Sequence, residues 1–211
     1  MESTITTKQR ILICAVELFA SKGYTETSVR DIATGVGITP ASLYNYFISK
    51  EDILKFILND YMNNTHIMLN NPEVPSIIQG NPTVQGIMDC LQLKFSYLTD
   101  DYYSKVLCVI HQEHHRNEDV REVIIKGILN IEETIEKIFI ELKKLNVIRQ
   151  DADPDFWKKT VSSLVYTFPS RIMLDIGENA LGFSGMNLLE LLQYEFEMIL
   201  KIYSVADNKA I

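Results

Sequence analysis

The stretch SVRDIATGVGITPASLYNYF, residues 28–47, constrains the fold more than any other part of the chain. It sets two short helix-forming runs on either side of a glycine-containing turn. Val29, Ile32, Ala33 and Val36 recur at helical spacing behind Thr27 and Ser28, and Asp31 follows Ser28 by three residues in the manner of a capping box. The run closes near Gly35 to Gly37. Thr39 is a natural N-cap and Pro40 fits the first helical position, where its missing N–H costs nothing. The second run continues from Pro40 to Phe47. Leu43 and Phe47 lie four residues apart and face a core with Ile38, so Ala41, Ser42, Tyr44 and Asn45 point elsewhere.

A longer helix precedes this pair. Ile11, Leu12, Ala15, Leu18 and Phe19 recur at helical spacing between Lys8 and Lys22, and Gly23 ends the run. Ser49 with Asp52 opens a fourth helix toward Leu69. Residues 70–86, which hold three prolines, are expected to break the chain. Further helices are predicted at about 83–99, 102–115, 118–145, 154–176 and 186–204, with Pro169 expected to kink the fourth of these. The expectation is an all-α protein of about nine helices.

A buttressed pair of short helices around a tight turn is the pattern of a helix-turn-helix, whose second helix enters the major groove of DNA. Small residues at the start of that helix, Pro40 and Ala41, let the backbone approach base edges. Thr39 or Ser42 can reach a base or a phosphate, Tyr44 offers a ring and a hydroxyl, and Asn45 suits bidentate reading of adenine. Helix N-termini present free N–H groups and a positive dipole end, which makes Ser28 and Lys50 candidate phosphate anchors, with Thr27 and Arg30 beside them. Capping and solvation alone are the alternative account of Ser28, Thr39 and Ser49.

The net charge of -8 speaks against a nucleic-acid binder until its distribution is read. Within residues 1–50, five bases (Lys8, Arg10, Lys22, Arg30, Lys50) meet four acids (Glu2, Glu17, Glu26, Asp31), leaving +1 there and -9 in the remainder. The acidic body is kept away from a polyanion that the N-terminal unit can approach.

The order I-L-x-x-A-x-x-L-F-A-x-x-G-Y-x-x-T-S-V-R-D-I-A, then V-G-I-T-P-A-S-L-Y-N-Y-F, then S-K-E-D-I-L closely resembles the TetR family of bacterial transcriptional regulators over about the first 55 residues. The resemblance implies a helix-turn-helix DNA-binding domain at 1–50, a connecting helix at 49–70, and an antiparallel helical ligand-binding and dimerisation domain at 51–211. It implies a phosphate contact for Tyr46, and a homodimer acting as a ligand-responsive repressor on a palindromic operator. It also implies a cavity for a small effector between helices. Phe95, Tyr103, Cys108, His111, Tyr166 and Met173 are the candidate lining, suited to an apolar or aromatic ligand, although such residues at helical spacing also build cores. The last two helices are apolar on more than one face, so Trp157, Leu164, Phe168, Leu188, Leu192 and Phe196 are either deeply buried or pair with a second copy.

Two other functions are weighed. His111, His114 and His115 sit in HQEHHRNED, and His111 and His115 have the four-residue spacing of metal ligands, which would make the chain a metal-responsive sensor. A solvated helix end explains the same residues. A helical adaptor that keeps the fold without binding DNA is the other alternative. Cys14, Cys90 and Cys108 are odd in number, lie in apolar runs and form no C-x-x-C pair, as buried free thiols would. No phosphate-cradling loop or nucleophile motif supports catalysis, so no cofactor is expected. The N-terminus lacks the apolar core of a signal peptide and no run approaches membrane-spanning length, which predicts a cytosolic protein.

Overall fold

The computed structural model describes residues 5–69, 73–83, 85–89, 100–175 and 188–205. Among these the chain is helical, and β pairing is confined to an isolated bridge between Ile148 and Ser204. The all-α expectation therefore holds. The chain divides into two compact units, one comprising residues 1–64 and 98–124, the other 65–97 and 125–211.

The first unit contains α1 (Thr7–Lys22), α2 (Val29–Val36), α3 (Pro40–Tyr44), α4 (Lys50–Leu69) as far as Asn64, α6 (Asp101–Glu113), and the start of α7 (Glu118–Lys144). Its core is made by Ile11, Ala15, Phe19, Ile32, Ala33, Leu43, Ile53 and Leu54, all buried. Helix α1 starts with a reciprocal cap in which Thr6 accepts from the Gln9 amide and Gln9 accepts from that of Thr6. Helix α6, from a distant part of the sequence, is fastened to α1. The Lys105 ammonium pairs with Glu17 at 2.5 Å, and the Gln112 amide donates to the Ala20 carbonyl at 3.1 Å. The Asp100 carboxylate caps α6 by accepting from the Tyr102 and Tyr103 amides, so this helix begins earlier than the apolar spacing alone suggests.

The second unit contains α5 (Glu73–Gly80), helical residues 85–89, the rest of α7, α8 (Pro154–Asp175) and α9 (Leu188–Tyr203). Helix α5 lies inside the segment expected to break the chain. Pro75 sits in its first turn, where a proline removes no helical hydrogen bond, and Ile78 is fully buried. The helical backbone of α8 runs through Pro169 to Asp175. Ile135, Ile138, Phe139, Leu142, Ile148, Val161 and Ile199 form the buried interior. Helix α7 ends in a six-to-one turn: the Val147 amide donates to Leu142 and that of Asn146, at φ 53°, to Lys143. The Arg149 amide then bonds the Tyr203 carbonyl at 2.8 Å, tying this turn to the end of α9. No helix among the described residues is long and apolar enough to cross a membrane. Phe95 and Cys90 lie outside the described residues.

Candidate nucleic-acid interface

Helix α2 is capped at its start by Ser28, whose hydroxyl accepts from the Asp31 amide at 3.1 Å while the Asp31 carboxylate accepts from the Ser28 amide at 2.8 Å. These bonds hold the Asp31 carboxyl below its ordinary range, with the Lys22 ammonium at 3.4 Å assisting. Helix α2 ends at Gly37, at φ +77°, which donates to Thr34 while Ile38 donates to Ala33. The Arg10 guanidinium seals this end by donating to the Val36 carbonyl at 2.5 Å. A Cβ on Gly35 would lie 2.5 Å from the Cys14 sulfur, so glycine is what allows α1 and α2 to pack this closely. Burial pushes the Cys14 thiol up, in keeping with an inert packing residue.

Only Gly37, Ile38 and Thr39 separate α2 from α3. Thr39 accepts from the Ser42 amide at 3.1 Å, and the two hydroxyls lie 2.9 Å apart. The regular helix stops at Tyr44, shorter than the predicted 40–47. The Tyr46 and Phe47 amides both donate to the Leu43 carbonyl, so the chain tightens through Asn45 and Tyr46 while returning Phe47 to the core. Leu43 is 0% and Phe47 2% exposed, whereas Tyr44 is 53% and Tyr46 44% exposed. Thr39, Pro40, Ala41 and Asn45 are also exposed, and Ser42 is half-buried. The short helix thus places a row of small, hydroxyl, amide and aromatic groups in solvent, on a segment anchored from behind by two large apolar side chains.

Ile48, 82% exposed and two residues after Tyr46, extends this row and was not singled out by sequence reasoning. It follows the end of the helical repeat, so periodicity gives it no face. Sequence reasoning also did not anticipate that Arg10 would cap α2.

Two predicted phosphate anchors are placed otherwise. Thr27 is 1% exposed, and its hydroxyl donates to the Gly23 carbonyl at 2.8 Å, so it secures the end of α1 instead of facing a ligand. The Lys50 ammonium donates to the carbonyls of Tyr24, Thr25 and Thr27 at 2.7, 3.3 and 2.7 Å, which occupies all three of its protons. Arg30 is exposed and has no intramolecular partner among the described residues.

Tyr103, Cys108 and His111 lie on α6 in the first unit, and Tyr166 and Met173 on α8 in the second. The Tyr103 hydroxyl accepts from Asn64 at 2.8 Å and donates to Asp60 at 3.5 Å, Cys108 is buried, and His111 and Tyr166 are half-buried. The side chain of Met173 lies outside the described ones. His111, His114 and His115 stack, the last pair with ring centroids 3.7 Å apart. Burial, aided by the two neighbouring rings, lowers the His111 pKa. Among the described residues, no three histidine, cysteine or carboxylate side chains are grouped to hold a metal ion.

A groove of about 430 Å3 runs along α8, lined by Phe156, Lys159, Thr160, Ser163, Leu164 and Thr167. Of the residues expected at a dimer interface, Leu164 lies there. Trp157 and Phe196 are 4% and 0% exposed within one chain, so they build the protomer's own core and are not free for a partner. The side chains of Phe168, Leu188 and Leu192 lie outside the described ones.

Residues 11–57 match the family of bacterial regulatory proteins of tetR type. Over 55 residues the chain is 40% identical to the HTH-type transcriptional repressor KstR2 of Mycolicibacterium smegmatis, covering 26% of this chain and 27% of that protein. Over 73 residues it is 41% identical to the biofilm operon icaADBC HTH-type negative transcriptional regulator IcaR of Staphylococcus aureus strain Newman, covering 33% and 39%. These matches span well under half of either relative's length. The fold as a whole is similar to that of the ketosteroid transcriptional regulator KstR2 of Mycobacterium tuberculosis, with a TM-score of 0.66 at 16% identity, over 96% of this chain and 97% of that one.

Proposed function

From the premise that residues 11–57 are a TetR-type DNA-binding segment, we propose that the protein is a sequence-specific transcriptional regulator, a ligand-responsive repressor in the cytoplasm that binds a palindromic operator as a homodimer. The observation that carries this reading is the division across α3 and the turn that follows it: Leu43 and Phe47 are buried while Tyr44, Asn45 and Tyr46 face solvent. A surface so rich in tyrosine needs a partner, and a base edge with its flanking phosphates accepts every group it offers. Arg30 and the N-termini of α2 and α3 supply the anchoring, so phosphate binding leans on few full charges and non-specific affinity is weak. The matched relatives are regulators of transcription, which leaves an enzymatic reading without support.

The groove on α8 is the part of the surface suited to a second copy. Phe156 is 60% exposed, and the Thr160 and Thr167 hydroxyls donate to carbonyls of their own helix at 2.9 Å, so neither needs a polar partner across the groove. Leu164→Asp is expected to convert the dimer to a monomer in sedimentation velocity while leaving the helical spectrum unchanged. An apolar or aromatic effector completes the reading. By binding better to a state in which α4 is tilted, it would release the operator, to the extent of its differential affinity for the two states.

Selecting fragments from a random duplex pool tests the reading as a whole. An enriched two-fold-symmetric sequence is expected, and a pool without any enriched sequence would sink it.

A further inference from the structure

We infer that Lys50 is a positioning residue, the brace that sets the start of α2 against the corner between α3 and α4, and that Arg30 carries the phosphate charge that Lys50 would otherwise be assigned. This rests on the DNA-binding reading above.

Lys50 is the first residue of α4, where an ammonium meets the positive end of the helix dipole and is disfavoured unless other groups hold it. Here three carbonyls do so, those of Tyr24, Thr25 and Thr27. The ammonium also lies 4.3 Å from the centre of the Tyr24 ring, which is packed edge-on against Phe19 at 5.1 Å. The segment it holds, residues 23–27, has no regular structure and leads directly into Ser28, the cap of α2. Thr27 also ties it back, its hydroxyl donating to the Gly23 and Leu18 carbonyls. Removing the ammonium leaves three carbonyls without their shared donor, and the start of α2 loses its link to the residue that follows the Tyr44–Phe47 corner. The remaining bases of the N-terminal helices are similarly engaged: Lys8 lies 3.9 Å over the Phe56 ring, Arg10 bonds Val36 and Lys22 pairs with Asp31. Among the described bases of these helices, Arg30 is exposed and without such a partner.

Two measurements on the full chain separate brace from anchor. In Lys50→Met, amide hydrogen exchange of the free protein is expected to speed up about tenfold at residues 27–31 and to stay unchanged in α8. Binding to the duplex recovered from the random pool should weaken about tenfold, with the slope of log affinity against log salt unaltered. In Arg30→Gln that slope should fall by roughly 1.8, one phosphate contact from each protomer of the bound dimer. Lys50→Arg, which keeps the charge but replaces a point donor by a planar fork, should bind as weakly as Lys50→Met. A Lys50→Met slope reduced by about 1.8 with unchanged exchange, or wild-type affinity in Lys50→Arg, overturns the inference. If the wild-type chain binds no duplex, the DNA-binding reading fails, and the exchange measurement still decides whether Lys50 is a brace.

Discussion

Helices α3 and α8 both expose aromatic or aliphatic side chains, and they do so for different reasons. In α3, five residues long, the exposed tyrosines stand on a segment whose caps, turn and buried anchors leave almost no freedom. In α8, 22 residues long, the groove lies along one face of an otherwise ordinary core helix, and its two threonine hydroxyls bond carbonyls of the same helix. A surface that must fit DNA is specified residue by residue, because a shift of the backbone moves every contact. A surface that meets a copy of itself needs mainly shape and spacing.

The contrast can be broken most severely from inside. Leu43→Ala, which empties the core beneath α3, should destabilise the first unit by about 3 kcal/mol in urea unfolding. Leu164→Ala, on the groove of α8, should cost the protomer about 1 kcal/mol or less. Equal costs would mean that α8 is packed as tightly as α3. Next in size is Tyr44→Ala, expected to weaken operator binding by roughly 1–3 kcal/mol in a salt-controlled titration without lowering the melting temperature. A fall in melting temperature of several degrees would instead make Tyr44 a structural residue. Thr39→Ala removes the cap of α3 and should cost about 1 kcal/mol of stability. Thr39→Ser should be nearly silent.

The smallest effect concerns Asp31. Its folded-state pKa is depressed by the bonds to Ser28, so the unfolded chain binds more protons in acid. The stabilisation is complete above the ordinary carboxylate range and is lost as pH falls through the depressed folded value. Asp31→Asn should flatten that part of the stability curve and leave the neutral region almost level.

Legibility followed the same division. The caps at Ser28 and Thr39, the glycine turn and the burial of Leu43 and Phe47 were all readable, because each is a local rule applied within a few residues. The role of Lys50 was not. Its partners are 23 and 26 residues away, and sequence position at a helix N-terminus suggested the opposite use of its charge. Thr27 was misplaced for a related reason, since one residue of offset from Ser28 turns a side chain from solvent into the core. The attachment of α6 to α1 through Lys105 and Gln112 depends on tertiary packing that no periodicity encodes. Helix α5 was missed because proline was read as a breaker where it occupies a first turn. Trp157 and Phe196 show the limit of composition: apolarity on several faces does not distinguish a residue buried in its own chain from one buried against another.

The account stands on α3 entering the major groove in two copies. Methylation interference on the selected duplex tests this directly, because guanine N7 lies in that groove. Two patches of interference are predicted, related by two-fold symmetry and centred about 10 base pairs, or a multiple of that, apart. A single patch, or binding indifferent to methylation throughout the site, would contradict it.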